Sequence, residues 1–277
     1  MEYIKSVWNF FNLLSIDVVF GALAGMLFFA DVLEVFIPLE TYLVLGMSVW
    51  SIYTLDHLWD ARVVKGAASS ERHRFHQQNF WTLSLVLIFN FVLCLLLVLL
   101  SSNLKFILVP GILLGLIILI WLGTLNFLLK KLSWLKEVSI AVFYVLGISL
   151  APFFKIFPNE IPYPFFIFLF GYFILAFINL LILSYLDEKE DKKDGFGSIF
   201  QRFKRPQLKK MIEIPGIISI ILLGALVVIL PSYFKIHASI LLLLIFFHIL
   251  EFQKQNQDKI RQRLEASFLL PFVLLLF

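Results

Sequence analysis

The chain has 277 residues, of which 61% are hydrophobic and only 15% charged, and a soluble domain of this size cannot bury so much apolar surface. The mean hydropathy is +0.94, and the apolar runs are long and continuous, which favours membrane-spanning helices over a β-barrel. The net charge of +4 is not accompanied by a basic surface with interleaved aromatic residues, so we expect no nucleic-acid partner. Composition therefore predicts an all-α integral membrane protein, with residues 1–277 as a single domain.

Nine apolar spans follow one another along the chain and predict nine transmembrane helices. Eight of them approach the ~20 residues that a helix needs to cross a bilayer, whereas the last is short. The spans cover residues 8–30, 36–55, 79–100, 106–129, 138–154, 164–186, 211–230, 234–252 and 264–277.

The loops between these spans differ sharply in charge. When nine spans alternate, all but three of the 23 basic residues fall on the N-terminal side of the membrane, the exceptions being Lys105, Lys155 and Lys235. Loops rich in Lys and Arg stay in the cytoplasm. We therefore expect a cytoplasmic N-terminus, a C-terminus outside, and some attraction of the basic loops to anionic membrane lipid.

Asp17 is the only acidic residue deep inside an apolar span. It lies about nine residues, or ~14 Å, into the first predicted helix. Exposing a charge to lipid is costly, so an intramembrane acid is by default a functional residue. Asp17 is therefore a candidate catalytic residue, for instance a base, and the alternative is a protonated carboxyl group bonded to a neighbouring helix.

Two acidic motifs follow predicted helices on the same side of the membrane. "YTLDHLWDAR" ends the second span with Asp56 and Asp60, and "DEKEDKKDG" follows the sixth span with Asp187, Asp191 and Asp194. Residues four apart share one face of a helix, so we expect the sixth helix to extend one turn past its apolar run and to present its acids together.

Like charges on one face repel, so cations should compensate them, and the nearest candidates are Lys189, Lys192 and Lys193. One acidic pair is typical of a solvated helix end, but two pairs facing one compartment indicate a metal site. Mg²⁺ takes oxygen ligands, usually one or two carboxylates plus substrate phosphates and water, and it neutralises charge on a departing phosphate group. The predicted Mg²⁺ ligands are Asp56, Asp60, Asp187, Asp191 and Asp194.

The second motif carries a resemblance to a known family. It reads Asp187-Glu-Lys-Glu-Asp191-Lys-Lys-Asp194-Gly195-Phe-Gly-Ser198. This resembles the second motif of the UbiA superfamily of intramembrane prenyltransferases, in which an Asp is followed by an Asp four residues later, a Gly and a Ser.

Only half of the first motif matches the corresponding motif of the same family. The family pattern is NDxxDxxxD, and Asp56 and Asp60 match its last two acids, whereas Ile52 and Tyr53 stand in place of its Asn and first Asp. A phenol is no equivalent Mg²⁺ ligand near neutral pH, since its pKa is about 10. We expect Tyr53 to donate a hydrogen bond to a phosphate oxygen or to shape the cavity mouth.

Basic residues extend the resemblance. Arg72 in "SERHRFHQ" is similar to the arginine that follows the family's first motif, and "LLKKLSWLKE" resembles its Lys-rich loop, which implies phosphate contacts for Lys130 or Lys131, with Lys136 as a further candidate. The predicted diphosphate-binding residues are Arg72, Lys130, Lys131, Lys192 and Asn179. Asn179 is included because it lies eight residues before Asp187, on nearly the same helix face, where it would either line the cavity or bond one helix to another.

The resemblance implies nine helices around a central cavity and a Mg²⁺-dependent transfer of an isoprenoid group. The donor would be a polyprenyl diphosphate and the acceptor a lipophilic molecule of aromatic or quinone type, with Asp17 and Tyr53 as candidate catalytic residues. Two alternatives stay open, a UbiA-type terpene cyclase with the same metal site and a non-catalytic isoprenoid-binding protein. CDP-alcohol phosphatidyltransferases gather their acids in one contiguous block, so the wide separation of the two motifs excludes that class.

Overall fold

The computed structural model of the protein describes residues 2–64, 66–127, 135–157, 159–195, 199–254 and 260–277. Within these residues every regular element is helical, which confirms the predicted all-α class. The α-helices are α1 (Glu2–Leu13), α2 (Ile16–Val32), α3 (Leu39–Val63), α4 (Glu71–Gln78), α5 (Phe80–Leu100), α6 (Lys105–Phe127), α7 (Leu135–Ile156), α8 (Tyr163–Asp194), α9 (Arg205–Ile229), α10 (Ser232–Gln253) and α11 (Ile260–Ser267). Short 3₁₀ helices cover Ser102–Leu104, Ile199–Gln201 and Leu270–Leu276.

Six helical segments in the described residues are long and apolar enough to cross a membrane, and they coincide with the third to eighth predicted spans. They are Phe80–Leu100, Ser102–Leu125, Leu135–Ile156, Tyr163–Asp194, Arg205–Ile229 and Ser232–Gln253. These segments support a multi-pass membrane protein. Nine transmembrane helices are not confirmed, because the first and last predicted spans take other forms and the second, although a continuous helix, is not among these six segments.

The first predicted span is two helices rather than one. α1 and α2 are separated at Ser15, whose backbone is left-handed with φ of 55°, a conformation that a right-handed helix cannot continue through. Asp17 therefore lies in the first turn of α2, where its carboxylate accepts the Val18 backbone N–H at 3.0 Å. The expected depth of Asp17 in a continuous helix is wrong, although its side chain is only 2% exposed.

The second predicted span is one helix, as expected, although it is not among the six candidate spans, and only the last span takes a different form. The second becomes α3, which runs to Val63 and so carries the first acidic motif as part of the helix. The last is not one continuous α-helix, because α11 ends at Ser267 and the chain goes on as the 3₁₀ helix Leu270–Leu276.

The helices form a closed arrangement in which neighbours in sequence are mostly neighbours in space. α8 packs against α7, α9 and α10, and α2 packs against α3 and α7, while α11 and the last 3₁₀ helix return to α2 and close the bundle. An aromatic cluster joins α2 to α8, with the Phe28 ring centroid 5.8 Å from that of Phe168 and 5.5 Å from that of Tyr172. α5 buries little surface and presents its apolar side chains outward, as expected for a helix in contact with lipid.

The orientation of the bundle can be tested at two lysines at its opposite ends. Lys193 lies in the last turn of α8, and Arg205 at the start of α9 pairs with Glu188 at 3.5 Å. α9 therefore leads from that end to the far end, where Lys235 lies in the first turn of α10. In a protein whose single Cys94 is replaced by serine, Lys193→Cys should react with a membrane-impermeant thiol reagent only from the cytoplasmic face. Lys235→Cys should react only from outside.

The parental protein without a cysteine is the control for background labelling in that experiment. Labelling of both positions from the same face would contradict the expected topology.

Candidate active site

A cavity of about 220 Å³ opens between α2, α3, α4, α7, α8 and α11, at the end of the bundle that carries both acidic motifs. Apolar side chains form most of its wall, as is usual for a site that holds a lipophilic ligand. These lining residues include Val18, Gly21, Ile52, Ile140, Leu180 and Leu183.

The mouth of the cavity is polar because, on the helices that form it, charged residues lie one helical turn beyond the lining residues. On α8 the lining residue Leu183 is followed one turn later by Asp187, and on α3 the lining residue Asp56 is followed one turn later by Asp60. Lys136 lies in the first turn of α7, just before the lining residues of that helix. Each helix therefore contributes an apolar wall and, one turn beyond it, a charged group.

A basic side chain accompanies each acidic pair. Nζ of Lys136 lies 3.4 Å from both carboxylate oxygens of Asp56, and Arg261 forms an ion pair with Asp187. The charges of Asp60, Lys136 and Arg261 all act on Asp191, so the two motifs face each other across the mouth.

The lysines within the second motif do not compensate the charge of its acids. α8 extends past its apolar run to Asp194, which confirms the predicted extra turn. Each residue of an α-helix is turned by about 100° from the last, so Lys189, Lys192 and Lys193 come to lie on the exposed side. The expectation that they compensate the acids is wrong, because Arg261 and Lys136 are the partners. The predicted phosphate contacts Lys130 and Lys131 lie outside the described residues.

Asp194 joins α8 to the loop that precedes α4. Both of its carboxylate oxygens accept the Ser69 backbone N–H, at 3.1 and 3.0 Å. The next residue, Gly195, ends the helix in a left-handed conformation with φ of 78°, which glycine adopts without steric cost. These bonds place the start of α4 beside the end of α8.

Arg72 reaches the cavity from α4. The helix begins at an N-cap, where the Ser70 hydroxyl accepts the His73 backbone N–H at 3.1 Å. From the first turn, Nη2 of Arg72 donates to Oδ1 of Asn12 at 3.1 Å and lies 3.4 Å from Oε1 of Glu265. The structure thus places Arg72 in the wall of the cavity.

Glu265 is the centre of a buried polar network. Asn12 donates to Glu265 and, at 2.6 Å, to Oδ2 of Asp17, and the two carboxyl groups hydrogen-bond to each other. Nη1 of Arg261 lies 3.7 Å from Oε1 of Glu265. Burial alone raises the pKa of Glu265, but Arg72, Arg261 and its hydrogen bonds outweigh burial and hold the pKa below its usual value.

Tyr53 lines the cavity one turn before Asp56, and its ring centroid lies 6.3 Å from that of His57. The His57 ring in turn lies 5.9 Å from that of His73 and 5.0 Å from that of His76. Burial lowers the pKa of both His73 and His76, so these imidazoles are neutral at pH 7 and add no cation to the site.

Asn179 also lines the cavity, as predicted from its spacing to Asp187. Its Oδ1 atom is buried and has no hydrogen-bond partner within the described part of the chain. A buried acceptor without a partner indicates a place where a ligand donates a hydrogen bond.

Deeper in the cavity the walls are aromatic: Tyr144 and Phe268 line it, with ring centroids 6.1 Å apart.

A comparison with protein families shows which family this chain belongs to. A model described as the UbiA prenyltransferase family matches residues 18–273, nearly the whole chain. The chain belongs to the UbiA prenyltransferase family. No curated protein and no solved structure gave a significant match.

Membership of the UbiA family implies an intramembrane, prenyltransferase-type activity and an isoprenoid diphosphate as substrate. Enzymes of the family typically use Mg²⁺. The match begins at residue 18 and ends at residue 273, so it includes every residue that lines the cavity, from Val18 to Phe268.

The carboxylates at the mouth suit Mg²⁺ that is bound together with a substrate. No three His, Cys, Asp or Glu side chains within the described ranges are close enough together to hold a metal ion alone. Mg²⁺ does not need such a cluster, because one or two carboxylates usually suffice when phosphate and water oxygens complete its shell. The paired aspartates of α3 and α8 are a donor set of this kind.

Two charged cavity residues were not predicted from the sequence, namely Arg261 and Glu265. They lie four apart on α11, in "RQRLEAS", directly before the last apolar run. This i,i+4 pair of opposite charges was the available signal, but it is equally typical of a solvated helix. Only the return of α11 to α2 places both side chains in the cavity.

Proposed function

We propose that this UbiA-family protein is a Mg²⁺-dependent prenyltransferase that moves an isoprenoid group from a polyprenyl diphosphate to a lipophilic acceptor, aromatic or quinone-type, inside the membrane. The observation that supports it most is the position of two facing acidic pairs, with Lys136 and Arg261 between them, at the mouth of a cavity with apolar walls. The mouth suits a diphosphate with its metal ions, and the interior suits the prenyl chain.

The diphosphate would be held by cations that already line the mouth. Arg72 and Arg261 present guanidinium groups, which bind phosphate oxygens in a bidentate manner, and Lys136 adds a point charge. Lys130 and Lys131, which lie outside the described residues, are proposed as further phosphate contacts, whereas Lys192 lies on the exposed side of α8 and is assigned no contact. Asn179 would mark the boundary between the polar mouth and the apolar interior.

Four carboxylates are the proposed metal ligands: Asp56, Asp60, Asp187 and Asp191. Mg²⁺ held by these carboxylates would neutralise the charge that develops on the diphosphate as its bond to carbon breaks. We assign Asp194 to the docking of α4 instead, because Ser69 already uses both of its oxygens.

The interior of the cavity would protect the reacting carbon. Apolar walls exclude water, which would otherwise capture an allylic cation, and they hold the donor and the acceptor together. The faces of Tyr144 and Phe268 would stabilise the positive charge. The charge asymmetry of the loops supports a cytoplasmic mouth, with the N-terminus on the same side.

A terpene cyclase would use the same metal site and differ only in the fate of the prenyl group, which would close on its own double bonds. A non-catalytic isoprenoid-binding protein is the other candidate. The feature that favours it is Tyr53, which stands where the family pattern has an aspartate.

One experiment separates these three functions. Purified protein is incubated with Mg²⁺ and isotopically labelled diphosphates of several prenyl lengths, with and without a lipid extract, and the products are identified by mass spectrometry. A prenylated product that requires the extract supports transfer, and a hydrocarbon or terpene alcohol without it supports cyclisation. Binding of the diphosphate without its release would overturn both enzymatic proposals.

Tyr53 provides a test of the first motif. Tyr53→Asp restores the carboxylate of the family pattern one turn before Asp56, so it should lower the Mg²⁺ concentration needed for half-maximal activity. Tyr53→Phe removes only the hydroxyl and should weaken diphosphate binding by about 0.5–1.5 kcal/mol, the usual contribution of one hydrogen bond. Mg²⁺ titrations of both variants against the wild type measure these effects. An unchanged Mg²⁺ requirement in Tyr53→Asp, with a silent Tyr53→Phe, would contradict a role for position 53 at the metal site.

A further inference from the structure

The proposed diphosphate site does not use a pair of carboxyl groups at the cavity wall. Glu265 lines the cavity and is 5% exposed, and Asp17 lies behind it with 2% exposed. Their side chains hydrogen-bond to each other, and Asn12 donates to both. Two carboxyl groups in such a contact cannot both be ionised, so the pair holds a shared proton.

Two arginines and a tyrosine face this pair of carboxyl groups. Arg72 of α4 and Arg261 of α11 both face Glu265, at 3.4 and 3.7 Å, and the phenol of Tyr53 faces it from α3. These two guanidinium groups keep the second carboxyl of the pair ionised. Glu265 is therefore a carboxylate that contacts the substrate cavity and whose charge depends on two arginines.

The same two arginines lie where the diphosphate is expected. Arg261 bonds Asp187 with one end of its guanidinium and faces Glu265 with the other, and Arg72 lines the cavity mouth. A diphosphate carries more negative charge than a carboxylate and binds arginine in the same bidentate way. The bound diphosphate and Glu265 consequently compete for the same cations.

We propose, on the basis of the function proposed above, that Glu265 accepts the proton that the acceptor loses, and that bound diphosphate activates it by drawing Arg72 and Arg261 away. Asp17 is a positioning residue, which holds Glu265 through the shared proton. A carboxylate between two arginines is a weak base, and it becomes an effective one only when the donor substrate is in place.

The chemistry of this step is balanced. The bond between C1 of the prenyl group and the diphosphate oxygen breaks, and diphosphate leaves with the electron pair. The acceptor, a phenol or an activated ring carbon that carries a hydrogen, forms the new bond to C1 and loses its proton to a carboxylate oxygen of Glu265. The proton leaves for the cytoplasm with the departing diphosphate, which restores the pair.

The test measures the uptake of protons when pyrophosphate binds, rather than the formation of a prenylated product. Binding of Mg²⁺-pyrophosphate to the purified protein is followed by calorimetry in buffers of different ionisation enthalpy, which gives the number of protons taken up. The wild type should take up more protons than Glu265→Gln, by a fraction of one proton per bound pyrophosphate, because the Glu265 carboxylates that stay ionised are the ones that serve as base. Because glutamine does not compete for the arginines, Glu265→Gln should also bind pyrophosphate at least as tightly as the wild type. A purely structural role for Glu265 predicts weaker binding instead.

Glu251→Gln is the matched control. Glu251 is also a buried glutamate paired with an arginine, since it is 1% exposed and lies 2.9 Å from Arg263, but it does not line the cavity. Its substitution should leave proton uptake as in the wild type. Asp17→Asn should lower the rate of prenyl transfer and shift its pH profile while the affinity for pyrophosphate is kept.

A measurement on the wild type covers the case in which Glu265→Gln does not fold. Infrared difference spectra with and without Mg²⁺-pyrophosphate should show a gain of protonated carboxyl absorption. Equal proton uptake in the wild type and Glu265→Gln, or no such gain in the wild type, overturns the inference and leaves the proposed function standing. Failure of the wild type to bind pyrophosphate with Mg²⁺ overturns the proposed function, and the inference with it.

Discussion

Asp56→Asn and Asp191→Asn should each abolish most Mg²⁺-dependent release of diphosphate from a prenyl diphosphate. Asparagine keeps the shape of the side chain but removes the charge that holds Mg²⁺. Losing one ligand should remove several kcal/mol of charge stabilisation in the transition state, which corresponds to a fall in rate of at least about a hundredfold. Single-turnover release of labelled diphosphate across a range of Mg²⁺ concentrations measures the effect.

Glu190→Gln is the control for this prediction. Glu190 precedes Asp191 on α8 but is exposed, so its neutralisation changes the net charge of the helix end without touching the mouth. It should keep near-normal release. Asp56 and Asp191 are both partly accessible to water, so their variants should remain folded, which a thermal melt in detergent verifies. Near-normal turnover of either variant at low Mg²⁺ would remove that residue from the proposed site.

Arg261→Gln should weaken the binding of pyrophosphate more than any other single change at a basic residue of α11. Arg261 lines the cavity and is the described partner of both Asp187 and Glu265. A hydrogen bond to a charged group contributes about 1.5–3 kcal/mol, so the dissociation constant should rise by roughly tenfold to more than a hundredfold. Calorimetric titration with Mg²⁺-pyrophosphate measures this change directly.

Two further variants show whether the loss of pyrophosphate affinity in Arg261→Gln arises from a contact in the cavity. Arg263→Gln removes an arginine two residues away on the same helix, which is 44% exposed and pairs with Glu251, and it should leave the affinity for pyrophosphate unchanged. Arg261→Lys keeps the charge but loses the planar fork, and it should recover only part of the affinity. Equal losses in Arg261→Gln and Arg263→Gln would show that the effect is a general one of charge or folding.

Local features of this protein were predictable because they depend on spacing along one helix. The i,i+4 spacing of Asp187 and Asp191 predicted a helical turn beyond the apolar run, and α8 extends to Asp194. The same reasoning placed Asn179 on the cavity face and Tyr53 one turn before Asp56. A periodicity of 3.6 residues is a property of the backbone, so such predictions do not require knowledge of the neighbouring helices.

Predictions failed where a local conformation or a distant partner decided the outcome. The break at Ser15 has no strong sequence signal, and it moved Asp17 from the middle of a predicted span to the first turn of α2. The lysines nearest to Asp187 in sequence are turned away from it, whereas Arg261, far along the chain, is its partner. Charge compensation depends on distance in space, which sequence proximity does not measure.

The sequence by itself determined the class of this protein, since its hydrophobic content requires a membrane and its two acidic motifs carry the resemblance to the UbiA family. It also placed the acids at helix ends, because apolar runs and charged residues alternate along single helices. Only the tertiary structure decided which cations face those acids and that Asp17 meets Glu265 behind the cavity wall. The physical reason is that α11 packs back on α2, and this contact between the two ends of the chain depends on side-chain packing across the bundle rather than on any local pattern.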